Sequence, residues 1–294
     1  MIKDISVLIP ALNEEDNLPS LIKDINSAFE SLEVNYEIII IDDFSQVPVS
    51  SYLSHKNVKI FRNPFTKGQS FSILKAAQES KYDYLVTIDG DGQNPPYEII
   101  KLLDTFNKNY DNCDVVSGIR KFRKDGLLRT FYSKFANFII RVITKTKCKD
   151  LGCSLKIFRK VMLEDIKFNG DIHRILVPLF EYRGYKLFQQ EVDHLPRKFG
   201  KTKYGFSRIT AVIIDSILLY FTNGFTSTAR YSLGRLSFMF GFFSVTLFLV
   251  SLYQKEISGI FVHRNPIFLI GITLLFISLQ LLVTSLISFF IENK

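Results

Sequence analysis

The chain of 294 residues contains no tryptophan, three methionines and three cysteines. Cys113, Cys148 and Cys153 form no CxxC pair, so neither a disulfide framework nor a zinc-ribbon spacing is expected, and a reducing compartment fits. Histidine is scarce and scattered, at His55, His173, His194 and His263, which leaves little for a metal cluster. His173 and His194 read as surface residues. Neither GxGxxG nor GxxxxGK[ST] occurs, which removes nicotinamide-dehydrogenase and P-loop readings. No zinc-finger spacing or RNP-type aromatic motif accompanies the positive charge, so nucleic acid is not an expected partner. No signal-peptide pattern opens the chain, and the N-terminal region is expected to stay in the cytoplasm.

What is present divides the chain in two. Hydrophobic residues make up 47% and charged residues 22%, with net charge +8 and mean hydropathy +0.14. The apolar excess is concentrated after about residue 233. Residues 233–253 are apolar apart from Arg235 near the start, and 266–291 carry no charge at all. Each is long enough for a hydrocarbon core, which takes about 20 residues. Only residues 254–265 separate them, so a transmembrane hairpin over 233–291 is expected. The basic loops before it place the N-terminal domain and residues 292–294 inside by the positive-inside rule. The positive charge then suits membrane phosphates or a phosphorylated substrate.

Before residue 205, apolar strand-like and helix-like stretches alternate. Residues 5–9, 36–41, 58–61, 84–88 and 115–116 read as strands, with a further strand at 187–192. Residues 14–32, 69–80 and 96–107 carry helical spacing. This alternation predicts an α/β domain with a mostly parallel sheet covered on both faces. Ligands in such folds sit outside the carboxyl ends of the strands. Polar clusters fall there: Asn13-Glu14, Asp42-Asp43, and the run Asp89-Gly90-Asp91-Gly92-Gln93. Carboxylates two residues apart on extended backbone point the same way. Hard oxygen ligands at that place suit Mg²⁺ or Mn²⁺ holding a diphosphate. Pro95 and Pro96 should end the strand and pre-set a helix.

Beyond Gly118 basic residues crowd in: Arg120, Lys121, Arg123, Lys124 and Arg129. Phe131, Phe135, Phe138 and Val142 follow at helical spacing, so 119–147 reads either as an ordinary amphipathic helix or as a membrane-facing acceptor segment. A basic, glycine-punctuated loop spans 194–205. An amphipathic helix follows from Ser207, and 206–232 are expected to be interfacial.

Taken together, VLIPALNEEDNLP (7–19), IIIIDDFS (38–45), FRNPFTKGQSFSILKAA (61–77), DGDGQNPPYEI (89–99), DLGCSLKIFRK (150–160) and RKFGKTKYG (197–205) resemble family 2 glycosyltransferases. Within that family the chain is similar to the polyprenyl-phosphate group, which includes dolichyl-phosphate mannose synthase. The resemblance implies a GT-A fold (Rossmann-like, mostly parallel sheet), followed by interface helices and two transmembrane helices. It implies inverting transfer of a hexose from GDP-mannose or a UDP-sugar to polyprenyl phosphate, with Mg²⁺ or Mn²⁺. It also implies an integral membrane protein of a bacterial inner membrane and a homo-oligomer, a tetramer among the forms.

By the same resemblance, Pro10, Ala11, Asn13, Glu14 and Gly68 line the nucleotide site, and Asp42 recognises the base or ribose. Asp89, Asp91 and Gln93 hold metal and diphosphate. Arg120, Arg129 and Ser133 grip the lipid phosphate, and Arg197 closes over the site. Asp150 is either a group orienting sugar or acceptor, or a turn residue. Asp43 and Glu15 read as structural or solvated.

One departure stands out. The family usually has glycine after the aspartate pair, and here Phe44 stands there. Phenylalanine does not take positive φ cheaply, so the loop after the second strand is expected to differ. Two other functions compete: a catalytically silent membrane-anchored subunit, and a processive polysaccharide synthase. The second would carry a QxxRW motif, which a chain without tryptophan lacks.

Overall fold

The computed structural model describes residues 1–30, 32–121, 141, 146–164, 166, 172–196 and 229–292. Most of 119–147, residues 197–205 of the expected basic loop and residues 206–228 of the expected interfacial segment lie outside the described residues. The chain divides into two compact units, Met1–Asn223 and Gly224–Lys294.

The first unit is built on a seven-stranded sheet. Its strands are β1 (Asp4–Ala11), β2 (Asn35–Asp42), β3 (Val58–Arg62), β4 (Tyr84–Thr87), β5 (Val115–Arg120), β6 (Lys156–Arg159) and β7 (Leu187–Val192). Their order is β3-β2-β1-β4-β6-β5-β7. All neighbouring pairs are parallel except those made by β6, which runs antiparallel between β4 and β5. The mostly parallel sheet therefore stands. Residues 155–158, a short apolar stretch in a mixed segment, fall largely on β6; what residue spacing did not disclose is its antiparallel run between β4 and β5, since four residues opened by a buried lysine carry little period-2 signal.

Helices α1 (Leu18–Glu30), α2 (Gln69–Glu79) and α3 (Glu98–Lys108) cover the sheet, and a short α4 (Leu176–Tyr182) follows β6 in sequence. Leu18, Leu21, Ile22, Ile25 and Phe29 of α1 pack with Ile5, Val7, Ile9, Ile38 and Ile40 in one core. Central strands β1 and β2 are buried on both faces, as parallel strands under helices must be. Helix α1 starts at Leu18, four residues later than the spacing suggested. The preceding residues form a turn in which Leu18 N donates to Glu14 O at 2.9 Å and Asn17 Nδ2 to Glu14 Oε2 at 2.8 Å. Pro19 then sits in the first turn, where no N–H is needed. Glu98 N and Ile99 N donate to the carbonyls of Pro95 and Pro96, so the proline pair does shape the entry to α3.

The second unit is a pair of helices, α5 (Ala229–Ser258) and α6 (Pro266–Glu292). Both are long and apolar enough to cross a membrane over Leu233–Ser258 and Pro266–Ile287. Helix α5 extends beyond the apolar run at both ends. The burial is inverted relative to a soluble domain: Phe238, Phe242 and Phe276 are exposed, whereas Ser237, Ser244, Ser251 and Ser278 are buried. Ser237 Oγ donates to Ser278 O at 2.8 Å, and Ser278 Oγ donates to Ser237 O at 2.9 Å. Ser244 Oγ donates to Gly271 O at 2.8 Å. Small residues at heptad-like spacing let the backbones approach, as membrane helix pairs do.

Candidate active site

Strand β1 pairs with β2 on one side and β4 on the other. The chain moves outward from β1 to β3, then crosses back to β4 and the remaining strands. The reversal between β1 and β4 opens a crevice at their carboxyl ends, the place where α/β sheets bind ligands. Three loops meet there.

The loop after β1 carries Pro10, Ala11, Asn13 and Glu14. Asn13 adopts φ 52°. Its N–H donates to Ser45 Oγ at 2.9 Å, and Gln46 N donates to Asn13 Oδ1 at 2.8 Å. Asp43 N also donates to Ala11 O at 2.8 Å. These bonds knit the first loop to the second.

The loop after β2 departs from expectation at Phe44. Phe44 adopts φ 69°, so it takes the left-handed conformation that favours glycine. The neighbouring carboxylates over-determine the backbone. Asp42 accepts from Ser45 N at 2.8 Å, Val49 N at 3.2 Å and Arg62 Nη1 at 2.7 Å. Asp43 accepts from Asn63 Nδ2, Lys67 N and Gly68 N, each at 2.8 Å. Strain of about 1–2 kcal/mol at one residue is outweighed by such a set. Asp42, which the resemblance assigns to the base or ribose, is 1% exposed and organises this loop. Asp43 is structural as expected. It ties down the stretch before α2, where Gly68 turns with φ 90°.

The third loop follows β4. The strand ends at Thr87, so Asp89 and Asp91 are not alternate residues of extended backbone, as the spacing suggested, but members of a tight turn. Gly92 takes φ 69° there. A Cβ on Gly90 would stand 3.3 Å from Pro10 O, so glycine lets this turn lie against the end of β1. Asp89 accepts from Gln69 Nε2 at 2.7 Å, and Gln93 N donates to Asp91 Oδ1 at 3.1 Å. Burial, and then the charge of Asp91, push the Asp89 carboxyl up to about 6.

The two acids are thus held close enough to oppose each other's ionisation, an arrangement a cation relieves. Asn94, 2% exposed, adds a buried Oδ1 with no hydrogen-bond partner among the described residues. Among the described residues no cluster of three or more His, Cys, Asp or Glu converges. The donor set therefore fits a hard cation completed by phosphate and water, as Mg²⁺-type sites commonly are. Gln93 sends its amide nitrogen to Leu195 O at 3.3 Å, and Leu195 N donates to Gln93 O at 2.8 Å. This joins the acidic turn to the segment that leads toward Arg197.

Strand β6 completes the crevice with residues that spacing did not single out. Its register sets Lys156 opposite Thr87 of β4. Gln69, Asp89, Ser154, Lys156 and His173 line one small cleft. Lys156 is 4% exposed and donates through Nζ to Cys153 O. His173 is a cleft residue, not a surface one: its Nδ1 lies 2.9 Å from Ser70 Oγ. A cation at an inward position of a strand was the one available signal for Lys156, whereas His173 had none.

Arg120 and Asp150 form a two-pronged pair. Arg120 Nε donates to Asp150 Oδ2 at 2.7 Å and Nη2 to Oδ1 at 2.8 Å, with Arg120 N adding a third bond at 3.2 Å. Gly152 N also donates to Asp150 Oδ1 at 3.2 Å. Burial lowers the Arg120 guanidinium pKa, but its bonds and charge attraction to Asp150 outweigh that, so the net shift is upward. Asp150 is thus part of a turn and the holder of an arginine. Arg129, Ser133 and Arg197 lie outside the described residues.

Residues 6–167 match the family model described as glycosyl transferase family 2. The chain belongs to that family. The matched stretch contains Pro10, Asp42, Gly68, Asp89, Asp91, Gln93, Arg120 and Asp150, and it ends before Arg197 and the apolar helices. Over 97% of its length the chain is 28% identical to dodecaprenyl-phosphate galacturonate synthase of Rhizobium johnstonii, of which it covers 86%. Over 91% it is 29% identical to undecaprenyl-phosphate 4-deoxy-4-formamido-L-arabinose transferase of Klebsiella pneumoniae, covering 84% of that protein. Among solved structures, glucosyl-3-phosphoglycerate synthase of Mycobacterium tuberculosis, crystallised with Mn²⁺ and UDP-glucose, superposes with a TM-score of 0.58. That match covers 74% of this chain and 78% of the other, at 16% identity, and so speaks for the fold alone.

Proposed function

We propose that this glycosyltransferase moves a hexose from a nucleotide sugar to a polyprenyl phosphate at a membrane surface. The observation that carries the reading is the likeness to polyprenyl-phosphate transferases along nearly the whole chain, membrane-length helices included. The paired acids at the switch point of the sheet support it. The acceptor phosphate has a second pKa of about 6 by analogy with phosphorylated side chains, so near neutral pH it is mostly dianionic. It needs little help from a general base. The difficulty is bringing two anions together.

A divalent cation, Mg²⁺ or Mn²⁺, would be held by Asp89 and Asp91 and would supply charge neutralisation at the donor diphosphate. The chain's own residues do the positioning. The Asp43-anchored stretch at Lys67 and Gly68 frames the donor side, with Asn13 fixing the loop across from it. Arg120, steadied by Asp150, brings positive charge to the acceptor side. Arg129, Ser133 and Arg197 are the further proposed phosphate ligands, on sequence grounds. Direct displacement at the anomeric carbon inverts configuration. The active-site unit is proposed to face the cytoplasm from a bacterial inner membrane. A departure at Phe44 kept a catalytically silent subunit open as a reading; the residue nonetheless takes the left-handed backbone that glycine would take there, so the loop itself is retained.

The test is an incubation of purified protein with Mn²⁺, undecaprenyl phosphate and a panel of nucleotide sugars, read by the mass of the lipid product. Asp91→Ala should abolish metal-dependent product while the protein stays folded and membrane-bound. Undiminished product from that variant would remove the acidic turn from the mechanism.

A further inference from the structure

Phe44 combines three features. Its backbone is held at φ 69°, where a bulky residue is rare. Its side chain is not buried in compensation: the residue is 49% exposed. And a cation backs its ring, with Arg62 Cζ 5.1 Å from the ring centroid. Arg62 is itself fixed, donating from Nη1 to Asp42 Oδ2 at 2.7 Å and from Nη2 to Ser45 O at 2.8 Å. A ring with one side set against an anchored guanidinium, and half of the residue still open to solvent, is a platform rather than a core residue. Strain retained at an exposed position is a mark of a functional loop.

The platform's place defines what it meets. Phe44 follows β2, the acidic turn follows β4, and β1 lies between them. Two strand spacings, roughly 10 Å, therefore separate the ends of β2 and β4. A donor with its diphosphate at Asp89 and Asp91, extended along the crevice toward β2, carries a ribose and then a base in that direction. The base is the flat, stacking part of such a donor, and aromatic rings are the side chains that stack on it.

We propose that Phe44, backed by Arg62, stacks on the nucleobase of the donor and is a substrate-binding residue for it. This rests on the nucleotide-sugar reading above. Stacking accepts any base face, so the platform sets affinity for the nucleoside half of the donor, with Arg62 adding a cation–π contribution through the ring.

The experiment uses the full-length protein in detergent with Mn²⁺ and titrates UDP, GDP and inorganic pyrophosphate by calorimetry. The variants are Phe44→Gly, which adopts the same positive φ without strain, and Phe44→Tyr, which keeps a stacking ring. For the nucleotide that the wild type binds, Phe44→Gly should weaken affinity about 5- to 150-fold. That range is the 1–3 kcal/mol of a base–aromatic stack, converted at 1.4 kcal/mol per tenfold. Pyrophosphate affinity should stay unchanged, and Phe44→Tyr should recover most of the nucleotide affinity. Nucleotide binding by Phe44→Gly equal to wild type overturns the proposal, as does an equal loss for pyrophosphate. Wild type that binds pyrophosphate but neither nucleotide overturns the stacking role alone. Wild type that binds none of the three overturns the donor-site reading and the platform with it.

Discussion

Asp150→Ala is the most demanding test of the Arg120–Asp150 pair. The substitution deletes the acceptor of two guanidinium bonds, at 2.7 and 2.8 Å, and of two backbone N–H groups, from Arg120 and Gly152. The side chain of Arg120 is only 12% exposed, so its charge cannot simply turn to water. Breaking a buried pair by removing one partner costs about 3–5 kcal/mol. For a unit of this size each kcal/mol moves the melting temperature by about 2–4 °C, which gives a drop of roughly 6–20 °C. The assay is thermal unfolding of purified protein, followed by transfer activity below the transition. Removing both charges together, as Arg120→Met with Asp150→Leu, should restore most of the lost stability, because an apolar pair of similar volume leaves no orphan. Melting of Asp150→Ala within about 2 °C of wild type, less than 1 kcal/mol, would refute the reasoning. A variant of wild-type stability with no transfer would instead assign Asp150 to the substrate.

Gly152→Ala places a Cβ 2.6 Å from Arg120 Nη2, and it should lower stability by about 1–3 kcal/mol in denaturant titration and displace the arginine. Glu37 accepts from Ser6 Oγ and Lys81 N and pairs with Lys59; burial raises its pKa, but these partners together hold it below the ordinary 4.5. Its stabilisation is therefore complete above about pH 4.5 and is lost as pH falls through the lower folded-state value, so the stability gap between wild type and Glu37→Gln should narrow on acidification through that window. In the helix pair, Ser278→Ala removes one of two reciprocal serine bonds and should weaken association by about 0.6–1.7 kcal/mol in a steric-trapping measurement. A reporter fused after Lys294 should read cytoplasmic, and an external signal would break the two-span topology.

Much of the α/β frame was legible from residue spacing, because burial on both faces of β1 and β2 demands apolar runs and α1 demands a 3.6-residue stripe. Short or conflicted elements were not. β6 has four residues, one a buried lysine, and its pairing partners lie about 40 and 70 positions away. Phe44 shows a local rule meeting a tertiary one: propensity argued against positive φ, and six hydrogen bonds to Asp42 and Asp43 enforced it. The acidic pair was read from strand alternation, yet a glycine turn brings it together. Asp150 offered two readings until Arg120, 30 residues away, was found in its grip.

Residue order alone was enough to read the alternation of strands and helices, the acidic run after β4, and two apolar stretches of membrane length. Each follows from composition and period within a short window, where hydrophobic burial and backbone propensity act locally. Which partners hold each carboxylate emerged only in three dimensions. Asp42, Asp43 and Asp150 accept bonds that hold loops and an arginine, whereas Asp89 and Asp91 lie close enough in the turn after β4 to oppose each other's ionisation. That division depends on hydrogen-bond partners far along the chain, and a buried carboxylate takes its role from those partners, not from its neighbours in sequence.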